Sequence, residues 1–445
     1  MKTKSALLGS FLSLLLVGFT VGRMEAQERS SKPNVIVILT DDLGYGDLSC
    51  YGAKKIQTPN VDKIAKEGLR FTNAHSMAST CTPSRYSILT GEYAFRKQGA
   101  HILPGNASLL ISLNQATLGT IFQKAGYHTA DIGKWHVGLG PVGGPDWNGR
   151  IAPGPNEVGF NYSFIFPATA DRVPTIFVEN HHTVALDSAD PITVSYLHKV
   201  GNDPTGAEDP QLLKMKSTPG QGHLGTIVNG IARIGWMEGG HRARWVDEEL
   251  GDDFFDQVQS FIVKNQHHPF FIYYAMNEIH VPRMPDTRFK GKSELGYRGD
   301  VILEMDYFVG KLFQTLKWLH LDKNTLIVFT SDNGPVLNDG YLDGSVKLDH
   351  GHKPAGPFSG GKYSMLEGGT RMPFIVKWPG VVKPGVSHAM ISQVDLLASF
   401  ADMLHVKLGP LDGVDSQDEL KALLGKTEKG RKTLVEQDNG GVLAL

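Results

Sequence analysis

Four stretches of the chain are apolar without alternation: Val35 to Leu39, Phe270 to Ala275, Leu326 to Phe329 and Phe374 to Val376. Runs of this kind fit strands buried on both faces of a sheet, as in parallel α/β architectures. The segments between them change to helical spacing. Thr58-Pro59-Asn60 opens a helix with Val61, Ile64 and Ala65 on one side, closed by Gly68. A second helix is predicted from about Thr117 to Lys124, ending at Gly126, and others from about Arg244 to Ile262 and Asp395 to Leu404. The longest, from about Arg298 to Leu319, carries Ile302, Met305, Val309, Leu312 and Leu316 as a core stripe. Tyr127 to His136 reads as a further strand, and period two then puts Lys134 and His136 on one face. From about Gly138 to His241 the chain is loop-rich, punctuated by three Gly-Pro pairs. Insertions of that length tend to shape access to a site. The pattern predicts an α/β fold with elaborated loops.

Polar residues at the strand ends alter the picture from architecture to chemistry. The first strand runs into Asp41-Asp42, and the third apolar run into Ser331-Asp332-Asn333-Gly334. Open α/β sheets place their ligands at the carboxyl ends of strands. Adjacent carboxylates there repel unless a cation holds them, and an all-oxygen set with an amide favours a hard cation over zinc. A single Asp in a glycine-rich turn would be ordinary, and Gly44 and Gly46 follow this pair. His280 also lies beyond a strand end, where a lone histidine is more often simply packed.

Between these sits Ser79-Thr80-Cys81-Thr82-Pro83-Ser84-Arg85, continuing to Leu89-Thr90-Gly91. Pro83 suits a first helical turn and Gly91 the residue past the end, so Cys81 lies at a helix N-terminus, where anions bind. Arg85 follows one turn later on the same face. Read singly, this is a buried cysteine and a surface arginine. The only other cysteine is Cys50, and a Cys50–Cys81 disulfide is the competing arrangement.

The bulk numbers exclude some classes. The 445 residues are 20% charged with a formal net charge of −2, so no basic field points to nucleic acid or an anionic membrane. Lys2 and Lys4 precede an apolar run from Ala6 to Val21, too short for a membrane span, and residues 1–26 read as a secretory signal peptide. Export to the periplasm or the exterior follows as an expectation.

Taken together, Cys-x-Pro-Ser-Arg with Leu-Thr-Gly, then Gly126-Tyr127 with Gly133-Lys134-Trp135-His136, and the stretch Gly360 to Pro373 resemble the signatures of type I sulfatases. The resemblance covers roughly Lys32 to Gln437. It implies an alkaline-phosphatase-like fold, with a large, mostly parallel sheet flanked by helices, as one catalytic domain over 32–437. The small antiparallel C-terminal subdomain usual in the family is expected to be mostly missing, 438–445 being only its start.

The resemblance further implies that Cys81 is converted to formylglycine by a formylglycine-generating maturation enzyme. Asp41, Asp42, Asp332 and Asn333, with the modified Cys81, would hold a calcium ion. Lys134 and Lys362 would compensate the sulfate oxygens, and Arg85 would support the modified residue. His280 would protonate the leaving alcohol and His136 would deprotonate the second hydroxyl of the hydrated aldehyde. A sulfated carbohydrate is the expected substrate. Asp171-Arg172, His181, His182 and His223 are further sugar-binding candidates, each equally explained as a polar residue facing solvent. Two rivals stand beside this reading. One is a phosphate or phosphonate ester hydrolase of the same fold, for which Asp349, His350 and His352 offer extra metal ligands. The other is a sulfated-glycan binder with Cys81 unmodified.

Overall fold

The computed structural model describes residues 32–445, and the expected export segment over 1–26 lies outside the described residues. Among the described residues, ten strands form one sheet: β1 (Asn34–Thr40), β2 (Leu69–Phe71), β3 (His128–Lys134), β4 (Tyr162–Phe166), β5 (Val178–Glu179), β6 (His182–Thr183), β7 (Phe270–Ala275), β8 (Thr325–Ser331), β9 (Phe374–Lys377) and β10 (Gly385–Ser387). Across the sheet they are ordered β10-β2-β9-β8-β1-β7-β3-β4-β5-β6. The five central strands, β8 to β4 in that order, are all parallel. The antiparallel pairings are confined to β9 with its two neighbours and to β5 and β6 at the far edge.

The unbroken apolar runs have a direct cause. Val35, Val37 and Leu39 of β1 enter one core, while Ile36 and Ile38 enter the other. On the first side lie α2 (Cys81–Thr90), α3 (Leu118–Lys124) and α6 (Leu396–Met403). On the second lie α1 (Pro59–Glu67), α4 (Leu250–Lys264) and α5 (Gly296–Trp318). Each fully buried aliphatic side chain in these layers contributes about 1.5–3 kcal/mol, so removing one inward residue of β1 costs a large share of a domain's net stability. Among the described residues no helix is long and apolar enough to cross a membrane.

Register aligns the strand ends that matter. Thr40 pairs with Ser331, Leu39 with Ala275, and Ala275 with Gly133. Gly133 is needed there. Its φ is +116°, and a Cβ would meet the Ala275 carbonyl oxygen at 1.9 Å. The strands carrying Asp41, Asp332, Lys134 and the segment leading to His280 thus finish at one level.

Two expectations are corrected. The helix read from Arg244 begins only at Leu250, because residues 241–249 form two short 3-10 turns. Trp245 packs its ring on Phe166 and Phe177, and the Asp247 carboxylate is held by Arg233, so both residues are tied to neighbouring segments before the helix starts. The strand read through His136 ends at Lys134, and His136 adopts φ +57°. The period-two argument that paired Lys134 with His136 does not apply. At the other end of the chain, Glu436–Gln437 pairs antiparallel with Leu443–Ala444, and Ser79 N donates to the Gln437 carbonyl at 3.0 Å.

Candidate active site

Helix α2 begins at Cys81, after Thr80 in an extended conformation, and Gly91 (φ +67°) ends it with N–H donated to Ser87 O. All ten residues of this helix are buried. Its first turn is tied to the end of β3, because Thr82 Oγ1 donates to the His136 carbonyl at 2.9 Å. Cys81 is 2% exposed and unbridged, and burial pushes its thiol up to about 11 against the pull of Lys134 and Lys362. Cys50 is also free, so the competing disulfide does not form. A thiol held this far above neutrality is a poor nucleophile in itself.

Beside it Asp41, Asp42 and Asp332 converge, each contributing an oxygen within 4.8 Å of the others. All three, and Asn333, are fully buried. Burial pushes the Asp41 and Asp42 carboxyls upward, with Asp332 adding repulsion. Asp332 is itself held low despite burial, chiefly by Arg85. Asn333 donates its amide to Asp42 Oδ1 at 2.7 Å and to Gly334 O at 2.9 Å. Its own Oδ1, and Oδ1 of Asp41, have no hydrogen-bond partner. Buried acceptors left without donors, among three crowded carboxylates, are what a hard cation satisfies. The donor set therefore fits a divalent metal ion. Asp42 stands at φ +62°, a left-handed conformation costing a non-glycine residue roughly 1–2 kcal/mol, maintained by the contacts around it.

Three cations close around these oxygens. Arg85 Nε donates to Asp332 Oδ2 at 2.9 Å and its NH1 to the Lys134 carbonyl at 2.9 Å, so its contacts are to the carboxylate set and the β3 end. Lys134 Nζ donates to Asp41 Oδ2 at 2.5 Å. Lys362 Nζ donates to Asp42 Oδ2 and Asp339 Oδ2, both at 2.9 Å, and lies 3.1 Å from His280 Nε2. The His280 ring faces the Val281 carbonyl through Nδ1 at 2.7 Å. A carbonyl only accepts, so the proton is on Nδ1 and Nε2 accepts from Lys362. Burial first, then Lys362 and Lys134, hold His280 well below the usual histidine range. His136 presents Nε2 to the Leu103 carbonyl at 2.9 Å, which leaves Nδ1 buried, unpartnered and basic in form. Burial, then Lys134 and Arg172, keep that ring neutral as well.

Of these groups, Cys81, His280 and Lys362 form the floor of a cavity of about 490 Å³, and the carboxylate cluster with Arg85, Lys134 and His136 lies buried behind that floor. The outer wall is built by Asp171, Arg172, Gln221, His223, Asp339 and Tyr363. Of the sugar-binding candidates, Asp171, Arg172 and His223 reach the cavity, His223 Nε2 lying 3.0 Å from Asp171 Oδ2. His181 pairs with Glu157 and His182 sits exposed on β6, both away from it. Asp339 escaped the sequence reading, and Tyr363 entered it only within the stretch Gly360 to Pro373, with no role of its own. Asn338-Asp339-Gly340 looks like any turn, and only the fold brings it against Lys362.

The extra ligands for a two-zinc phosphatase are not delivered. His352 is held at 2.8 Å by Asp47, itself paired with Arg298, His350 is exposed, and Asp349 accepts from Gly351 N at 3.2 Å within its own turn and joins none of the acidic clusters among the described residues. The second cation position between Asp42, His280 and Asp339 is where the Lys362 ammonium lies.

The family model for sulfatases matches residues 33–406. An N-acetylgalactosamine-6-O-sulfatase of Bacteroides thetaiotaomicron is 51% identical over 418 residues, covering 94% of this chain and 81% of that protein. Human arylsulfatase A is 32% identical over 430 residues, covering 96% of this chain and 73% of its own. A solved Bacteroides thetaiotaomicron structure, described under the metabolism of multiple glycosaminoglycans, superposes with a TM-score of 0.92 at 51% identity, covering 93% of this chain and 86% of that one. Agreement in family, in 51% of the residues aligned across 81% of a named sulfatase, and in the chain path over 93% of this chain leaves one conclusion: the protein belongs to the sulfatase family, a sulfuric ester hydrolase on an alkaline-phosphatase-like α/β fold.

Proposed function

We propose that the chain removes sulfate from a carbohydrate, with the 6-O-sulfate of an N-acetylgalactosamine residue as the substrate. The observation that carries this reading is the joining, in one cavity, of the Cys81–Lys362–His280 floor to a polar outer wall, Asp171, Arg172, Gln221, His223, Asp339 and Tyr363, suited to hydroxyl and amide groups. The 51% identity to an N-acetylgalactosamine-6-O-sulfatase supports the choice of sugar.

Asp41, Asp42, Asp332 and Asn333 would hold a calcium ion, and Cys81 would be the residue converted to formylglycine by a maturation enzyme. When present, the cation supplies positive charge beside the nucleophile, and the hydrated aldehyde supplies both a hydroxyl to attack sulfur and a second hydroxyl to release sulfate.

The chain's own side chains do the remainder. Lys134 and Lys362 face the nonbridging oxygens, and charge that develops there in the transition state is compensated by ammonium groups already fixed by Asp41, Asp42 and Asp339. A sulfate ester docked on Lys362 draws that ammonium from His280, and its negative charge favours protonation at Nε2. His280 then delivers this proton to the leaving oxygen. His136, neutral with Nδ1 free, takes the proton given up when sulfate is released. Arg85 keeps Asp332 and the β3 end in place and touches no substrate atom. The signal-like segment over residues 1–26 supports export to the periplasm or exterior.

The test has two parts. Protein made with a formylglycine-generating enzyme should show the Cys81 peptide lighter by the thiol-to-aldehyde mass difference. The same protein should release inorganic sulfate from N-acetylgalactosamine 6-sulfate and leave an aryl phosphate untouched. An unmodified Cys81 in active protein, or preference for the phosphate, rejects the reading. Recovery of the protein solely from cytoplasm of its native host rejects the export.

A further inference from the structure

Beyond Lys362 the cavity wall offers an incoming sugar more negative than positive charge. Its ionisable side chains there are Asp171, Arg172 and Asp339, besides the imidazole of His223. Arg172 is already paired with Asp171 through NH1 at 3.1 Å, whereas the single Lys362 ammonium is shared between Asp339 and Asp42, so Asp339 is only partly compensated. Asp339 accepts from Lys362 Nζ at 2.9 Å and from the Tyr363 hydroxyl at 2.8 Å. Lys362 is the cation that a bound sulfate shares. Asp339 is one ammonium away from His280 Nε2, so a sugar whose leaving oxygen met that nitrogen, as in the function proposed above, would have Asp339 as its neighbour.

Its position is built rather than loose. The neighbouring Gly340 donates N–H to the Gln221 side chain and accepts from Thr218 N at 2.8 Å, and Thr218 Oγ1 contacts Asn338 Oδ1 at 3.0 Å. A Cβ at Gly340 would collide with the His223 ring at 2.0 Å. The loop of residues 217–223 and the turn at 338–341 are thereby locked together as one wall. A carboxylate has about four acceptor positions, and Lys362 and Tyr363 occupy two of them, so Asp339 retains room for a sugar hydroxyl or an acetamido N–H.

We propose that Asp339 determines specificity by rejecting a second anionic substituent on the sugar that carries the reacting sulfate. This rests on the carbohydrate sulfatase reading above and narrows it to singly sulfated residues. A second sulfate within about 6–8 Å of Asp339 meets a repulsion that, at the effective dielectric of a partly open site, corresponds to about ten- to fifty-fold in affinity. An uncharged hydroxyl at the same place gains a hydrogen bond to a charged acceptor instead. Discrimination of this kind works against the wrong ligand as much as for the right one.

The experiment compares N-acetylgalactosamine 6-sulfate with its 4,6-disulfate, by turnover in the mature enzyme and by calorimetric binding to Cys81→Ser protein. Wild type should prefer the monosulfate at least about ten-fold in kcat/KM and in Kd. Asp339→Asn, close to isosteric, should reduce that preference by about ten-fold or more, mainly by improving the disulfate. Tyr363→Phe, which keeps the charge, should leave the preference within about two-fold. Equal handling of both sugars by wild type overturns the proposal. So does an unchanged ratio in Asp339→Asn, or a ratio moved as far by Tyr363→Phe. Binding of the monosulfate without its turnover defeats the substrate reading while the binding ratio still judges Asp339. No binding of it at all defeats both.

Discussion

Arg233 lies in the long insertion, with its guanidinium buried against Asp247 at 2.9 and 2.6 Å, their side chains being 0% and 1% exposed. The same group donates to the Ala170 carbonyl at 2.5 Å and the Val228 carbonyl at 3.1 Å. Arg233→Met keeps the apolar stem and removes all four contacts. Asp247 then retains only the Asn229 amide at 3.1 Å and a long Trp245 contact at 3.4 Å. A buried charge left without its partner costs about 3–5 kcal/mol. Unfolding entropy scales with chain length, so about 4 kcal/mol over the described residues lowers Tm by about 4–5 °C. Arg233→Met/Asp247→Leu, which removes both charges, should recover most of that loss, giving a coupling of at least about 2 kcal/mol in urea unfolding. The local consequence is functional, because Ala170 precedes Asp171 and Arg172 in the cavity wall. KM for a sulfated sugar should rise in the single variant, with kcat on a small aryl sulfate nearly unchanged. A single-variant cost below about 1 kcal/mol, or a double variant no better than the single, would refute the reasoning.

Lys362→Met should lower kcat/KM on a sulfated sugar by about 10²–10³, since a preorganised charge facing the sulfate oxygens is lost; a loss under ten-fold would remove Lys362 from that role. Asp131 is buried with both carboxyl oxygens unpartnered, and burial holds its carboxyl well above the usual carboxylate range. Unfolded, it ionises above about pH 4, so at neutral pH it favours the unfolded chain. Asp131→Leu should therefore stabilise by about 1–3 kcal/mol at pH 7, with the gain shrinking below pH 4, and destabilisation at both pH values would contradict the argument. Chelation by EGTA should abolish sulfate release and lower Tm together, calcium restoring both, because a ligand bound only by the folded state adds about 2.7 kcal/mol at a hundred times its Kd. An unmoved melting curve would argue against the cation site.

Much of this was legible locally. Unbroken apolar runs announced strands buried twice over, and β1 does divide its side chains between two cores. Pro83 and Gly91 framed the helix that Cys81 starts, and the cysteine, lysine and histidine motifs stand in their expected order. Those features are readable because capping, turn chemistry and burial periodicity are properties of a few consecutive residues. The buried carboxylate cluster is of another kind. Asn333 meets Asp42 across 291 residues, and that meeting depends on β8 pairing with β1 in a register that levels their ends. His136 enters the site from a left-handed residue past the strand, not from strand alternation. Asp339 acquires a role only when its turn is packed against Lys362 by the loop at 217–223. Short-range pattern thus determined which elements form and which residues carry chemistry, whereas partnership between distant groups was decided by sheet register and loop packing, which no local periodicity encodes.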